Sequence, residues 1–95
     1  MNEKLIAVCR QGALLGKEDR GALAFLGIPF AKPPVGPLRW REPQEPGAWR
    51  GIRPATQYNA APLQTFGHSP NGFETAFLSE DCLYLNIWTA DTVPQ

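Results

Sequence analysis

The sequence is short of the residues that most active sites use. In 95 residues it has one histidine, His68, two cysteines, Cys9 and Cys82, and two serines, Ser69 and Ser79. One histidine cannot build a zinc site, and neither cysteine stands at a ligand spacing from it. Two cysteines are also fewer than a secreted disulfide scaffold carries, so we expect two free thiols. We predict no metal site and no cofactor.

The chain also lacks a charge excess and a long hydrophobic run. Nine basic residues balance nine acidic ones. This balance argues against a nucleic-acid or anionic membrane partner, because such binding depends on clustered Lys and Arg. No apolar stretch reaches the length of a transmembrane helix, and residues 1–15 contain no signal-peptide core. We therefore expect no nucleic-acid partner, no membrane partner and a cytoplasmic location.

Neither serine lies in a nucleophile motif. The stretch from Gly67 to Asn71 imitates the start of G-x-S-x-G, but Asn71 stands where the final glycine belongs. Ser69 is followed by Pro70, which has no backbone N–H to donate to an oxyanion. We predict no catalytic residue in this chain. His68 is interpreted as a solvated loop histidine, and a Cys–His dyad is the alternative that the residues leave open.

Glycine and proline are abundant instead. Nine glycines and ten prolines make up a fifth of the chain, and 43% of it is hydrophobic. This composition indicates a turn-rich chain with enough apolar residues to fold. Alternating apolar residues predict short strands over residues 4–9, 13–15 and 22–26, with a polar turn at 17–21. We expect a small antiparallel meander over residues 1–26.

Prolines recur through residues 27–54, here called the strap. Each proline lacks an N–H and biases the preceding residue to extended backbone, so no helix can run through the strap. We predict an irregular extended segment pinned by Trp40 and Trp49, followed by an irregular loop over residues 55–78. Residues 34–39 also spell P-x-x-P-x-R, which is typical of peptides that dock in an aromatic groove.

The clearest strand covers residues 83–88, within the last segment, 79–95. Both of its faces are largely apolar, which is typical of a strand covered on two sides. The rest of the chain offers few elements to cover it, and an unpaired apolar edge promotes aggregation. The sequence therefore predicts a single partial domain over residues 1–95, with further structure expected after it.

Two carboxylates, Glu80 and Asp81, precede this strand. Adjacent residues of an extended chain point to opposite sides, so the two are a poor acid–base pair. We expect each to have its own structural partner. A carboxylate at the mouth of a buried strand needs a cationic donor, and Arg39 and Arg41 are the candidates.

Two stretches together resemble the type-B carboxylesterases, the family that includes para-nitrobenzyl esterases and cholinesterases. Residues 25–40, FLGIPFAKPPVGPLRW, are similar to the family pattern F-x-G-I-P-[YF]-A-x-P-P-V-G-x-L-R-[FW]. Residues 79–88, SEDCLYLNIW and here called the signature segment, are similar to its E-D-C-L-x-L-N-[IV] pattern. Matching positions also lie between the two stretches: Pro43, Trp49, Gly51, Ala55 and Thr56. The resemblance covers nearly the whole chain in order.

The resemblance implies the N-terminal portion of an α/β-hydrolase fold, by itself mainly β and irregular. In this reading, residues 79–95 hold the first strand of the central sheet. The family cleaves carboxylic esters with a Ser–Glu/Asp–His triad that lies downstream of the matching stretches. The chain alone is thus expected to be an inactive structural segment. Its partner would be the remainder of the esterase chain, covalent or split, and a small carboxylic ester would bind only to the complete enzyme.

The resemblance also implies structural roles for four residues. Arg39 and Glu80 match a pair that forms a buried salt bridge between strap and sheet, and Asp81 lies beside it. Cys82 matches a cysteine that is disulfide-bonded in many secreted members. The partner position falls within residues 60–64, which hold no cysteine, so Cys82 is expected to be free. Residues 68–78 lack the tryptophan of cholinesterases, which argues against a choline substrate.

Two alternatives stay open at this point. The chain could be a free-standing interaction module that uses the P-x-x-P-x-R stretch or the edge of the strand at 83–88. It could also be a divergent remnant, or one half of a split esterase, with a scaffolding role.

Overall fold

The structure is a computed structural model that describes residues 3–63 and 78–92. Within these ranges the chain forms short strands and two 3₁₀ turns, Glu3–Leu5 and Gly36–Leu38, and no α-helix. The strands are β1 (Ile6–Cys9), β2 (Gly12–Leu15), β3 (Lys17–Asp19), β4 (Ala22–Pro29), β5 (Ile52–Pro54) and β6 (Tyr84–Thr89). No helix in the described part is long and apolar enough to cross a membrane. The expectation of a mainly β and irregular chain is confirmed.

The strands form two three-stranded sheets. In the first, β1 pairs antiparallel with β2, and β5 pairs parallel to β2 with Leu14 opposite Arg53. In the second, β4 lies between β3 and β6 and is antiparallel to both. The expected meander is therefore divided into two antiparallel hairpins that lie in different sheets.

β4 is the central strand of the structure. It is eight residues long, and six consecutive residues, from Leu23 to Ile28, are buried. A bulge separates Phe25 from Ile28, where Gly27 has a φ of +70° and its N–H donates to Asn86 Oδ1 at 2.9 Å. A Cβ on Gly27 would lie 2.7 Å from the carbonyl oxygen of Gln57. Only glycine fits there, because the backbone is left-handed and the space is closed.

Two predicted boundaries are wrong. Lys17–Asp19 is strand β3 and not part of a polar turn, so the turn is confined to Arg20 and Gly21, both with positive φ. Charged side chains suit β3 because it is an edge strand. The strap also contains regular structure at both ends, since β4 continues to Pro29 and β5 occupies Ile52–Pro54. Proline is compatible with β5 because β5 lies at a sheet edge.

The core is small. Leu14, Leu23, Phe25, Ile28 and Ala55 form its buried cluster, and Leu5, Ala7 and Trp49 pack against it. Among the described residues no charged or polar side chain is buried, and the most deeply buried residues are the small Ala24 and Ala55. A core of this size supports only modest stability for an isolated domain.

The two tryptophans of the strap differ. Trp49 is half-buried, and its Nε1 donates to the Ala13 carbonyl oxygen at 2.8 Å. Its backbone N–H donates to the Gln11 carbonyl oxygen at 2.9 Å. Trp49 therefore anchors the strap to the β1–β2 hairpin. Trp40 is 92% exposed, so the prediction that it is a buried anchor is wrong. Its backbone is left-handed, with a φ of 65°, and the described residues leave its ring open to solvent.

Candidate functional site at the junction of strap and signature segment

An ion pair joins the strap to the signature segment. Arg39 Nη1 lies 3.4 Å from Glu80 Oε1. Arg39 follows the Gly36–Leu38 turn, and its backbone N–H donates to the Gly36 carbonyl oxygen at 3.1 Å, which fixes the chain direction there. The pair is not buried in this chain, because the Arg39 and Glu80 side chains are 57% and 41% exposed. Exposed pairs contribute at most about 1 kcal/mol.

The neighbouring carboxylate has a different partner. Asp81 Oδ2 accepts a hydrogen bond from the Tyr84 hydroxyl at 3.0 Å, and the Asp81 backbone N–H donates to Ser79 Oγ at 3.1 Å. Burial raises the pKa of the Tyr84 hydroxyl, and the hydrogen bond to the Asp81 carboxylate raises it further. Glu80 and Asp81 thus have separate partners, as the sequence predicted, and do not form an acid–base pair.

The serine and cysteine side chains are not arranged for nucleophilic catalysis in the described part of the chain. Ser79 Oγ accepts the Asp81 hydrogen bond and so has a structural contact. Both thiols are free, as expected: Cys82 is half-buried, and Cys9 is exposed with its Sγ 3.3 Å from the Gly12 carbonyl oxygen. His68 and Ser69 lie outside the described residues.

An open groove runs beside the ion pair. Its volume is about 400 Å³, and its lining is mostly apolar. The lining residues are Pro34, Arg39, Trp40, Pro62, Leu63, Ser79, Glu80 and Cys82. Within residues 3–63 and 78–92, no group of three or more His, Cys, Asp or Glu residues could hold a metal ion. The groove offers contact area and one ion pair, and this combination suits a packing surface.

The P-x-x-P-x-R stretch does not have the conformation of a groove ligand. A polyproline II helix requires φ near −75° throughout. Gly36, inside the stretch, has a φ of +56° and begins a 3₁₀ turn. Docking of this stretch in an aromatic groove would require that turn to unfold.

β6 is open where the sequence predicted a covered strand. Leu85, Ile87 and Trp88 are 37%, 47% and 48% exposed. The reason is topological, since β6 is the terminal strand of its sheet and β4 occupies only one of its edges. The strand covered on both sides is β4. Sequence patterns alone do not distinguish the two strands, because apolar residues predominate in both.

The sequence of this chain matches known proteins over nearly its whole length. The sequence model of the Carboxylesterase family matches residues 3–95, so the chain belongs to the carboxylesterase family. The fumonisin B1 esterase of Sphingopyxis macrogoltabida is 47% identical over 92 residues, which cover 95% of this chain and 16% of that protein. The human cocaine esterase is 46% identical over 79 residues, covering 75% of this chain and 14% of the relative.

A solved structure agrees with the fold. A crystal structure of the Geobacillus stearothermophilus carboxylesterase superimposes with a TM-score of 0.72 at 37% identity, over 90% of this chain and 16% of the other. The predicted fold class, the N-terminal portion of an α/β-hydrolase fold, is thereby confirmed. The chain spans about one sixth of the length of these relatives.

Proposed function

We propose that this chain is the N-terminal structural segment of a carboxylic-ester hydrolase. It contributes the strap, the first strands and the Arg39–Glu80 contact. The serine, the acid and the histidine of the triad come from the remaining polypeptide, joined covalently or supplied separately. The chain alone does not hydrolyse esters.

The proposal depends mainly on how much of a relative the chain matches. Nearly the whole chain matches the fumonisin B1 esterase, yet it matches only 16% of that protein. The described residues also leave open the surfaces that a larger enzyme would cover: the groove, the ion pair and β6. The relatives are named for different esters, including fumonisin B1 and cocaine. Because the match covers only 16% of the fumonisin B1 esterase, we assign the choice of ester to the remaining polypeptide.

An esterase assay tests the inactivity of the chain alone. Purified chain is incubated with p-nitrophenyl acetate, and the release of p-nitrophenol is compared with that in buffer. We expect no difference. Turnover that disappears in the Ser79→Ala or Ser69→Ala variant would contradict the proposal, because it would place a nucleophile in this segment.

The open edge of β6 also suits a second function, a free-standing module that binds a partner by adding a strand. Solution behaviour separates the two. A chain that stays monodisperse and monomeric at high concentration favours the module, whereas a chain that self-associates through its open surfaces favours the esterase segment.

A further inference from the structure

β1 is an edge strand whose outer side has no strand partner among residues 3–63 and 78–92. It is the terminal strand of the β1–β2–β5 sheet. The Gly16 N–H donates to the Leu5 carbonyl oxygen at 2.7 Å, so Leu5 directs its backbone groups towards β2. Successive residues of an antiparallel strand direct these groups to opposite sides. Ile6 and Val8 therefore direct their N–H and C=O groups outward, to the open side.

This edge lacks the protection that other edges of the chain have. Charged residues and proline usually keep an exposed edge from pairing with another strand. β3, an edge strand of the second sheet, consists of charged residues, Lys17–Asp19. β5, the opposite edge of the first sheet, contains Arg53 and Pro54. β1 has neither a charge nor a proline, and Val8 is 80% exposed. The outer edge of β1 is therefore competent to pair.

The sequence of β1 makes this edge complementary to itself. When two copies run antiparallel about a two-fold axis at Ala7, Ile6 of each copy lies opposite Val8 of the other. The outward N–H and C=O groups of both residues then bond across the axis. Cross-strand pairs of β-branched side chains favour strand pairing. Ala7 does not obstruct the axis, because it is small and packs against the core of its own chain.

The charges beside the edge also suit a second copy. The same register places Lys4 of one copy opposite Arg10 of the other. Arg10 Nη1 lies 3.3 Å from Glu45 Oε1, and both side chains are mostly exposed. Lys4 of the second copy would therefore approach an ion pair that includes a carboxylate, which offsets the repulsion between the two cations.

We propose that the outer edge of β1 pairs antiparallel with β1 of a second copy of this chain, joining two three-stranded sheets into one. The contact is smaller than a standard protein interface, so the dimer is weak and its population depends on concentration. The proposal is independent of the proposed function, because β1 and the strand of the signature segment lie in different sheets.

Sedimentation equilibrium of the chain over a wide range of concentrations tests the proposal. A reducing agent is present throughout, because Cys9 is an exposed free thiol that could cross-link copies. We expect a monomer–dimer equilibrium. Val8→Lys should raise the dissociation constant about ten-fold or more, because it places a charge on the pairing edge.

Ile52→Lys is the matched control. Ile52 is 46% exposed and lies on β5, the opposite edge of the same sheet. Its substitution should leave the dissociation constant unchanged, and Val8→Thr, which keeps a β-branched side chain, should dimerise like the wild type. Circular dichroism of each variant checks that the strands are retained.

Hydrogen exchange of the wild-type chain locates the contact without any substitution. The Ile6 and Val8 amides face outward, so their exchange should slow about ten-fold between dilute and concentrated samples. The Ala7 amide is bonded to β2 and should be protected at every concentration.

Three outcomes would overturn the proposal. They are a chain that is monomeric at every concentration, equal dissociation constants for Val8→Lys and Ile52→Lys, and self-association that leaves the Ile6 and Val8 amides unprotected. The last result would assign self-association to another open surface of the chain.

Discussion

Replacing Trp49 with alanine should be far more damaging than replacing Trp40. The Trp49 ring packs against the core cluster and over Gly12, where an added Cβ would lie 2.5 Å from its Nε1. Its Nε1 donates to the Ala13 carbonyl oxygen, and the Arg53 guanidinium lies 5.3 Å from the ring centre. Trp49 is the side chain that anchors the C-terminal part of the strap to the first sheet.

The magnitude follows from these contacts. Buried tryptophan-to-alanine changes cost about 3–5 kcal/mol, and the half-buried Trp49 belongs at the lower end. We therefore expect Trp49→Ala to lower the free energy of unfolding by about 3 kcal/mol. Of this loss, the hydrogen bond from Nε1 accounts for about 1 kcal/mol. The Trp40 ring is 92% exposed, and the Arg39 guanidinium lies 5.9 Å from its centre. Trp40→Ala should therefore cost less than about 1 kcal/mol.

Urea unfolding followed by far-ultraviolet circular dichroism measures both changes. With a slope of about 1 kcal/mol per molar urea for a chain of this size, Trp49→Ala should move the midpoint by about 3 M. Trp49→Phe keeps an aromatic ring but loses part of the indole and its N–H donor, so its midpoint should lie between those of the wild type and Trp49→Ala. Equal shifts for Trp49→Ala and Trp40→Ala would refute the assignment of Trp49 as the anchor.

Three further predictions concern the junction and the bulge. A double-mutant cycle with Arg39→Met and Glu80→Gln in the chain alone should give a coupling below about 1 kcal/mol, because both side chains are exposed; a value of about 3–5 kcal/mol would show a buried pair. Gly27→Ala should lower the free energy of unfolding by about 3 kcal/mol, because the added Cβ would meet the Gln57 carbonyl oxygen. Gly36→Ala should lower it by about 1 kcal/mol, because no atom lies within 4 Å of the added Cβ and only the backbone is strained. Equal losses in urea titrations would contradict the bulge geometry. The pKa of Tyr84 is raised in the folded chain above the ordinary value of 10.0. Its contribution to stability is therefore complete below that value and is lost as the pH rises through the folded pKa. Urea midpoints at about pH 9 and pH 11 should diverge less in Tyr84→Phe than in the wild type, and an unchanged divergence would remove Tyr84 as the cause.

Much of the fold could be predicted from local patterns. Alternating apolar residues located β1, β2, β4 and β6, and the prolines located the strap. The remaining elements depend on distant partners. β5 becomes a strand because it pairs with β2, and each paired residue lies thirty-nine positions earlier in the chain. β4 continues through Gly27 because Asn86, fifty-nine residues away, accepts the Gly27 N–H. Neither contact leaves a local signal in the sequence.

The candidate site was predicted in part. The separate partners of Glu80 and Asp81 follow from the alternation of extended chain, and the structure places them with Arg39 and Tyr84. The exposure of Trp40 could not be predicted, because the local sequence does not distinguish an exposed tryptophan from a buried one. The structural roles assigned to Arg39, Glu80, Asp81 and Cys82 stay predictions that stability and assembly measurements must test.

Esterase activity before and after reconstitution tests the central claim most directly. The chain alone, and the fumonisin B1 esterase without its matching segment, are each assayed with p-nitrophenyl acetate, followed by the two co-expressed. We predict no turnover by either polypeptide alone and turnover by the complex. Ester hydrolysis by the isolated chain, or a complex that forms but remains inactive, would contradict the account of this chain as the structural segment of a carboxylic-ester hydrolase.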